Sequence, residues 1–158
     1  MKQLWAPWRM QYILGPREPG CVFCFEPDQD DERHVLVRSS SAFVIMNKYP
    51  YSNGHLLVVP RRHVARPWQL PAEEYRQLCS LLLESMQVVQ QALQPHGMNV
   101  GMNMGQVAGA GVDEHMHFHI VPRWSGDHNY MSVLGEVRVI NQHLEETWRL
   151  LKQAFERG

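Results

Sequence analysis

His115-Met116-His117-Phe118-His119-Ile120-Val121 decides the fold, because this stretch alternates three imidazoles with apolar side chains. Such alternation is typical of a strand with one face in the core and the other face carrying polar groups. We therefore expect a strand over 115–121, ended by Pro122, with its three histidines on one face. Alternate residues of a strand lie about 6.6 Å apart, so neighbouring imidazoles could share a hydrogen bond or a bridging group.

Four further strands are predicted from short apolar runs that are separated by turn residues. They cover residues 35–38, 42–46, 55–59 and 98–104. The first two are joined by Ser39-Ser40-Ser41, which favours a hairpin, and Pro60 is expected to end the third.

Two helices complete the pattern. Between Pro71 and Leu93, apolar residues recur at steps of three and four, and Pro71 suits the first helical position. A second helix is indicated near the end of the chain by Ile140, Leu144, Trp148, Leu151 and Phe155. The order of elements predicts an α+β fold, with a five-stranded antiparallel sheet and two helices.

Length and composition favour a single domain over 1–158, with an irregular segment at 1–34. Apolar residues make up 44% of the chain, charged residues 20%, and the formal net charge is -1. These values argue against disorder. They also argue against nucleic-acid binding through the overall charge of the protein. The chain shows no apolar run of signal-peptide or membrane-spanning length, so we expect a cytoplasmic protein with neither nucleic acid nor membrane as partner.

Three interpretations of the histidine row follow from the residues alone. Three imidazoles and a water can hold a catalytic zinc ion, but consecutive same-face positions of a straight strand converge poorly on one tetrahedral ion. A half-exposed strand can carry a histidine by chance, although three in register disfavour this explanation. The interpretation that we favour is a nucleophilic His117, neutral near pH 7, whose neighbours fix its tautomer and bind phosphate oxygens.

A glycine-rich loop precedes the row. Residues 104–111 read Met-Gly-Gln-Val-Ala-Gly-Ala-Gly, and such small side chains let backbone N–H groups approach an anion. The loop is neither a P-loop nor a Rossmann fingerprint. Its position directly before three histidines favours a phosphate cradle.

The three cysteines of the chain include one close pair, Cys21 and Cys24, in the spacing Cys-x-x-Cys. In a reducing compartment such a pair is a redox couple, half of a zinc site, or a coincidence. Cys79 lies within the first predicted helix and is expected to be a core residue.

These motifs together resemble the histidine triad superfamily. Residues 115–121 resemble its signature of histidines alternating with apolar residues, and Asn53-Gly54-His55-Leu56-Leu57-Val58-Val59-Pro60 is similar to its glycine-histidine strand. Pro122-Arg123 is similar to the pair that closes the triad. The opening Leu4-Trp5-Ala6-Pro7-Trp8-Arg9 and the segment Cys21-Val22-Phe23-Cys24 are most similar to the prokaryotic branch that contains diadenosine tetraphosphate phosphorylases and hydrolases. The resemblance implies the histidine triad fold over nearly the whole chain.

The resemblance also implies an enzyme that cleaves dinucleoside polyphosphates, such as diadenosine tetraphosphate, at the α-phosphate through an AMP-histidine intermediate. His117 matches the nucleophile, His119 matches the histidine that contacts the phosphate, and His55 matches the histidine that supports them from the neighbouring strand. Phosphate or water would resolve the intermediate, so phosphorylase and hydrolase both stay open. The implied nucleotide-binding residues are Asn47 at the ribose, Asn103 at the phosphate, and Gly105, Gln106 and Gly111 in the loop.

For the cysteines, the resemblance favours zinc. Many family members bind a structural Zn²⁺ through a Cys-x-x-Cys pair, a histidine after the glycine-histidine strand, and the first triad histidine. The matching residues are Cys21, Cys24, His63 and His115, and the ion would staple residues 1–34 to the sheet. A homodimer that pairs through the long helix and one sheet edge is also implied, and no organic cofactor is expected.

Two other functions stay open. A purine nucleoside phosphoramidase would share the fold and the nucleophile, but the segment Gly111-Val112-Asp113-Glu114 lacks the hydroxyl residue that some members carry there. A non-catalytic nucleotide-binding protein would bind AMP without turnover, which the intact triad disfavours.

Overall fold

The structure is a computed structural model that describes residues 20–127 and 144–157. The strands are β1 Val35–Arg38, β2 Ala42–Met46, β3 Leu56–Pro60, β4 Gly97–Met102 and β5 Phe118–Arg123, and the helices are α1 Ala72–Leu93 and α2 Leu144–Arg157. Short 3-10 turns cover Pro27–Gln29, Pro67–Gln69 and Gln106–Ala108. The predicted motif at residues 4–9 and Ile140 lie outside the described residues.

The five strands form one sheet in the order β1-β2-β3-β5-β4, and every neighbouring pair is antiparallel. With the two helices, this confirms the predicted fold class. The predicted hairpin is present, and the Ser39 side chain closes it by accepting the Ala42 N–H and donating to the Ala42 carbonyl.

Pro60 ends β3 as expected, whereas Pro122, which was expected to end the fifth strand, lies inside β5. Pro60 pairs with Ala42 on one side, and Pro122 pairs with Met98. The pairing of β3 with β5 covers only Leu56–Val58 and Phe118–Ile120. Pro60 and Pro122 both lie beyond this ladder, so neither has a partner there. The missing N–H therefore costs no ladder hydrogen bond, which is why these two strands tolerate proline.

The fifth strand also begins later than predicted. It starts at Phe118 rather than His115, and the Met116 N–H instead donates to the Val64 carbonyl, 2.8 Å away. His115 and His117 thus precede the strand on irregular backbone. The expected row of three histidines on one strand face is wrong, because only His119 lies in the ladder.

Helix α1 starts one residue after the predicted position. Pro71 is the N-cap, and its carbonyl accepts the Tyr75 N–H at 3.0 Å, the first bond of the helix. Glu73 and Glu74 in the first turn suit the positive end of the helix dipole. The helix ends at Leu93, where Gln94 adopts a left-handed φ of 47°.

The helices cover one face of the sheet and form the larger core with it. The opposite face carries a smaller apolar cluster, which consists of Phe23, Val35, Phe43, Ile45, Leu57 and Val59. Leu57 of this cluster pairs with His119 across β3 and β5. Directly paired residues of an antiparallel sheet point to the same side, so the His119 side chain lies on the face opposite α1 and α2.

The β2–β3 loop, residues 47–55, is fixed to both helices. Gly54 has a φ of +70°, and a Cβ there would lie 2.4 Å from Leu93 Cδ1 at the end of α1. Thr147, a fully buried residue of α2, donates its hydroxyl to Asn53 Oδ1 at 3.0 Å. The two helices on one face of the sheet thus hold the loop that places the His55 side chain beside His119 on the opposite face.

Among the described residues, neither α1 nor α2 combines the length and the apolar character that a membrane span requires.

Candidate active site and metal-binding cluster

His117 lies almost completely buried, just before β5. Its Nδ1 is 2.9 Å from the backbone carbonyl of His115. A carbonyl only accepts hydrogen bonds, so Nδ1 carries the proton and the neutral ring keeps a lone pair on Nε2. Burial lowers the pKa of His117, while the hydrogen bond to the His115 carbonyl acts in the opposite direction. The site therefore presents a neutral, nucleophilic nitrogen near pH 7.

His55 is fully buried at the end of the β2–β3 loop. The backbone N–H of Tyr51 donates to His55 Nδ1 at 3.0 Å, so the proton of the neutral ring is on Nε2. That Nε2 lies 3.0 Å from His119 Nδ1 and donates to it. Burial, followed by the neighbouring His119 and His117, lowers the pKa of His55 to about 3. His55 is therefore a neutral donor at physiological pH.

His119 completes the group on β5. Because its Nδ1 accepts from His55, the proton of the neutral His119 ring is on Nε2, where it acts as a donor. The ring centroids of His117 and His119 are 4.9 Å apart. The two imidazoles therefore have opposite tautomers, with an electron pair on His117 Nε2 and an N–H on His119 Nε2. This combination suits attack on phosphorus with donation to a phosphoryl oxygen.

Asn47 lies beside these histidines, at the start of the β2–β3 loop. Its Oδ1 accepts the Tyr49 N–H at 2.9 Å, and its Nδ2 is 3.2 Å from His55 Nδ1. The backbone N–H of Asn47 also donates to the His55 carbonyl at 2.9 Å. In this structure Asn47 therefore holds both ends of the loop that carries His55.

The glycine-rich loop leaves β4 beside Phe118 and returns at His115, so it flanks His117 along the chain. Gly105 and Gly109 have φ values of +90° and +85°, which favour glycine. Asn103, expected at the phosphate, donates its Nδ2 to the Gly109 carbonyl at 3.3 Å and closes the loop. Gln106 and Gly111 are exposed on the same loop.

A second cluster lies next to the group formed by His55, His117 and His119. The Sγ atoms of Cys21 and Cys24 and the ring nitrogens of His63 and His115 all lie within 4.8 Å of one another. His115 Nδ1 is 3.3 Å from Cys21 Sγ and 3.7 Å from Cys24 Sγ, and His63 Nδ1 is 3.3 Å from Cys24 Sγ. With usual Zn–S and Zn–N bond lengths, the ligands of a tetrahedral zinc lie roughly 3.3 to 3.8 Å apart. The four side chains fit such an ion.

The tautomer of His115 also fits a metal ligand. Its Nε2–H donates to the Pro60 carbonyl at 2.7 Å, which leaves the Nδ1 lone pair facing the cysteines. Outer hydrogen bonds of this kind orient most metal-bound histidines. Burial lowers the pKa of His115 to about 4, so the ring is neutral, as a ligand must be.

The cysteine turn has the features of a thiolate site. The Phe23 N–H donates to Cys21 Sγ at 3.4 Å. Without a metal, burial and the adjacent Cys21 raise the pKa of Cys24 to about 11. A bound cation reverses this effect because it stabilises the thiolate form directly.

The sequence model of the HIT domain matches residues 28–126. The chain belongs to the HIT domain family. This confirms the resemblance seen in the sequence. The match spans β1 to β5 and all three histidines of the triad, and it begins after the Cys-x-x-Cys pair.

Several relatives of this HIT protein carry enzyme names. A protein of Mycobacterium tuberculosis named AP-4-A phosphorylase is 36% identical over 167 residues, which cover 99% of this chain and 86% of that protein. An adenosine 5'-monophosphoramidase of Schizosaccharomyces pombe is 33% identical over 103 residues, which cover 65% of this chain and 74% of that protein.

Among solved structures, the HIT chain is similar to a zinc-bound histidine triad family protein of Mycobacterium smegmatis. The two are 26% identical, with a TM-score of 0.69, and the match covers 87% of this chain and 94% of the other. In this HIT protein, the cluster of two cysteines and two histidines has the composition of a tetrahedral zinc site.

The sequence motifs singled out His55, His117 and His119, and the HIT structure brings these three side chains together. It separates His115 from them, since the ring of His115 faces the cysteines. Sequence reasoning missed Tyr51 and Phe23, whose rings contact the histidines. No periodicity indicates such contacts, and only the position of Phe23 between the two cysteines could have drawn attention to it.

Proposed function

We propose that this HIT protein cleaves dinucleoside polyphosphates, such as diadenosine tetraphosphate, at an α-phosphate through a covalent AMP on His117. The single observation that carries the proposal is the pair of opposite tautomers at His117 and His119. His117 Nδ1 donates to a carbonyl, and His119 Nδ1 accepts from His55. A nucleophilic nitrogen and a donor thus face one small region next to a glycine-rich loop.

In the first step, His117 Nε2 attacks the α-phosphorus. A P–N bond forms while the P–O bond to the polyphosphate breaks, so the nucleoside polyphosphate leaves with the electron pair. His119 Nε2–H and loop N–H groups stabilise the charge on the phosphoryl oxygens. The ring of His117 becomes positively charged, and its Nδ1–H stays bonded to the His115 carbonyl, 2.9 Å away.

In the second step, phosphate or water attacks the same phosphorus and breaks the P–N bond. Phosphate would give ADP and water would give AMP, and either returns His117 to its neutral form. The relative named AP-4-A phosphorylase supports phosphate as the acceptor. The nucleotide would be held by Asn47 at the ribose and by Asn103, Gly105, Gln106 and Gly111 around the phosphates.

A phosphoramidase is the second candidate, because the Schizosaccharomyces pombe relative carries that name. The match to that enzyme covers 65% of this chain, against 99% for the phosphorylase. We therefore place the dinucleoside polyphosphate first. A protein that only binds nucleotides would not need the opposite tautomers of His117 and His119, so we place this role last.

The metal-binding cluster is proposed to hold one structural Zn²⁺ through Cys21, Cys24, His63 and His115. The ligand distances and the hydrogen bond from His115 to Pro60 support this proposal. When bound, zinc would join the cysteine turn to the segment before β5 and would take no part in the chemistry. Cysteines that bind zinc must not form a disulfide, and they stay reduced in a reducing compartment. We therefore propose that the protein is cytoplasmic.

A homodimer is proposed through β4 and α1. β4 is an edge strand of the sheet in the part of the chain that the structure describes, and a sheet edge invites a second strand. Val100 on β4 is 41% exposed, and Leu83 on α1 is 55% exposed. A second copy of the chain would bury such apolar side chains.

Product analysis tests the proposed function. Wild-type protein and His117→Ala are incubated with diadenosine tetraphosphate, with and without inorganic phosphate, and the nucleotides are separated. ATP and ADP that form only with phosphate identify a phosphorylase, and ATP with AMP identifies a hydrolase. No products from wild type would direct attention to phosphoramidates, and undiminished turnover by the variant would refute the nucleophile.

A further inference from the structure

Tyr51 lies in the β2–β3 loop and makes two different contacts with the histidines. Its backbone N–H donates to His55 Nδ1 at 3.0 Å. Its ring packs against the His55 ring at 4.7 Å between centroids and stacks on the His119 ring at 6.0 Å with an angle of 21°. Tyr51 is half-buried, so the ring covers these imidazoles on one side.

The backbone contact decides which tautomer His55 adopts. An N–H donated to Nδ1 requires a lone pair there, so the His55 proton is on Nε2 and is donated to His119. His119 must then carry its proton on the opposite nitrogen. If His55 had its proton on Nδ1 instead, it would clash with the Tyr51 N–H and would have only an acceptor to offer His119.

The ring contact decides where the two imidazoles lie. Stacked and tilted aromatic pairs attract each other beyond the effect of burying their surface. Tyr51 makes such a contact with both His55 and His119, whose Nε2 and Nδ1 are 3.0 Å apart. The loop itself is fixed by Gly54 against Leu93, so the Tyr51 ring has a rigid base.

We propose that Tyr51 is a positioning residue for His119, acting through His55 by its backbone N–H and on both imidazoles by its ring. This inference rests on the proposed function for the role of His119 as phosphate donor. Tyr51 acts through the two imidazoles and not on the reacting phosphorus. The features that carry the proposal are its backbone N–H and its aromatic ring.

The test compares four proteins in their full-length form: wild type, Tyr51→Leu, Tyr51→Phe and Tyr75→Leu. Tyr51→Leu removes the ring and keeps the backbone N–H. Tyr51→Phe keeps both and removes only the hydroxyl. Tyr75→Leu is the matched control, because Tyr75 is a half-buried tyrosine that packs on the helix side of the sheet.

Long-range proton–nitrogen NMR spectra report directly which nitrogen of each histidine is protonated. In wild type we expect His55 and His119 with the proton on Nε2. Tyr51→Leu keeps the backbone N–H, so we expect the wild-type tautomer at His55, but the His119 ring loses its stacking partner and its Nδ1 resonance should shift because the hydrogen bond from His55 weakens. In Tyr51→Phe and Tyr75→Leu we expect the wild-type pattern. A wild-type His55 with its proton on Nδ1, or an unchanged His119 in Tyr51→Leu, would overturn the inference.

The second readout is the single-turnover rate of AMP transfer to the protein, measured beside the affinity for AMP. We expect Tyr51→Leu to slow transfer about tenfold, the rate equivalent of one lost aromatic contact, while AMP affinity changes little. Tyr51→Phe should restore the rate. Equal slowing by Tyr75→Leu would show a general structural effect and contradict the inference.

The two readouts also separate this inference from the proposed function. If wild type transfers no AMP, the proposed function fails, but the NMR spectra still show whether Tyr51 sets the state of His119. If Tyr51→Leu does not fold, the wild-type spectrum alone tests the tautomer of His55.

Discussion

His117 donates its Nδ1–H to the backbone carbonyl of His115, 2.9 Å away, while the His115 ring points to Cys21. One residue therefore serves both clusters, with its side chain in the metal-binding cluster and its carbonyl on the nucleophile. The Phe23 ring, from the turn between the two cysteines, contacts both imidazoles at 5.5 and 5.1 Å between centroids. The cysteine–histidine cluster and the proposed nucleophile therefore share the backbone of one segment.

Removing the donor of His119 should slow the reaction without unfolding the protein. His119→Ala is expected to lower kcat for diadenosine tetraphosphate by about 10²–10³, the usual loss for one donor to a developing oxyanion. His119→Gln, which keeps an N–H, should retain more activity than the alanine variant. Steady-state kinetics measure this order, and an alanine variant as active as the glutamine variant would contradict the role of the donor.

Zinc should bind once per chain and stabilise the fold. Elemental analysis of purified wild type should give about one zinc per chain, and chelation should lower the melting temperature by several degrees. Cys24→Ser should lose most of the zinc, whereas the control Cys79→Ser, which changes a thiol on α1 outside the cluster, should keep it. Zinc retained by Cys24→Ser would rule out the proposed ligand set.

Acid should destabilise the protein through His55. Burial lowers its pKa in the folded protein to about 3, below the usual 6.5, so the unfolded chain binds the extra proton first. The stabilising contribution of neutral His55 is complete above about pH 6.5 and is lost progressively toward pH 3. Urea unfolding between pH 7 and pH 4 should show a flatter pH dependence for His55→Gln than for wild type, and equal slopes would contradict the role of His55.

Gly54 should tolerate no side chain. Its φ of +70° disfavours other residues, and a Cβ would lie 2.4 Å from Leu93 Cδ1. Gly54→Ala is therefore expected to destabilise the protein by about 2–3 kcal/mol, from backbone strain and overpacking together. At the control Gly126, also at positive φ, a Cβ would meet no atom within 4 Å, so Gly126→Ala should cost about 1 kcal/mol. Equal losses in denaturant titrations would contradict the packing argument.

The sequence predicted most elements of the fold, because hydrophobic periodicity marked α1 and all five strands. It misplaced the end of β5, which continues through Pro122 to Arg123, since the tolerance for proline depends on how far the neighbouring strand extends. The sequence did not show that His115 lies apart from His117 and His119. That separation arises because the His115 ring contacts Cys21, which is 94 residues away along the chain. The two contacts of Tyr51 likewise depend on a loop geometry that no local pattern specifies.

The covalent intermediate is the central claim. The protein is mixed with diadenosine tetraphosphate, quenched within milliseconds under alkaline conditions, digested and analysed by mass spectrometry. We expect an AMP adduct on His117 in wild type, more persistent when phosphate is withheld if the acceptor is phosphate, and no adduct in His117→Ala. Rapid turnover without an adduct, or an adduct at another residue, would contradict the account.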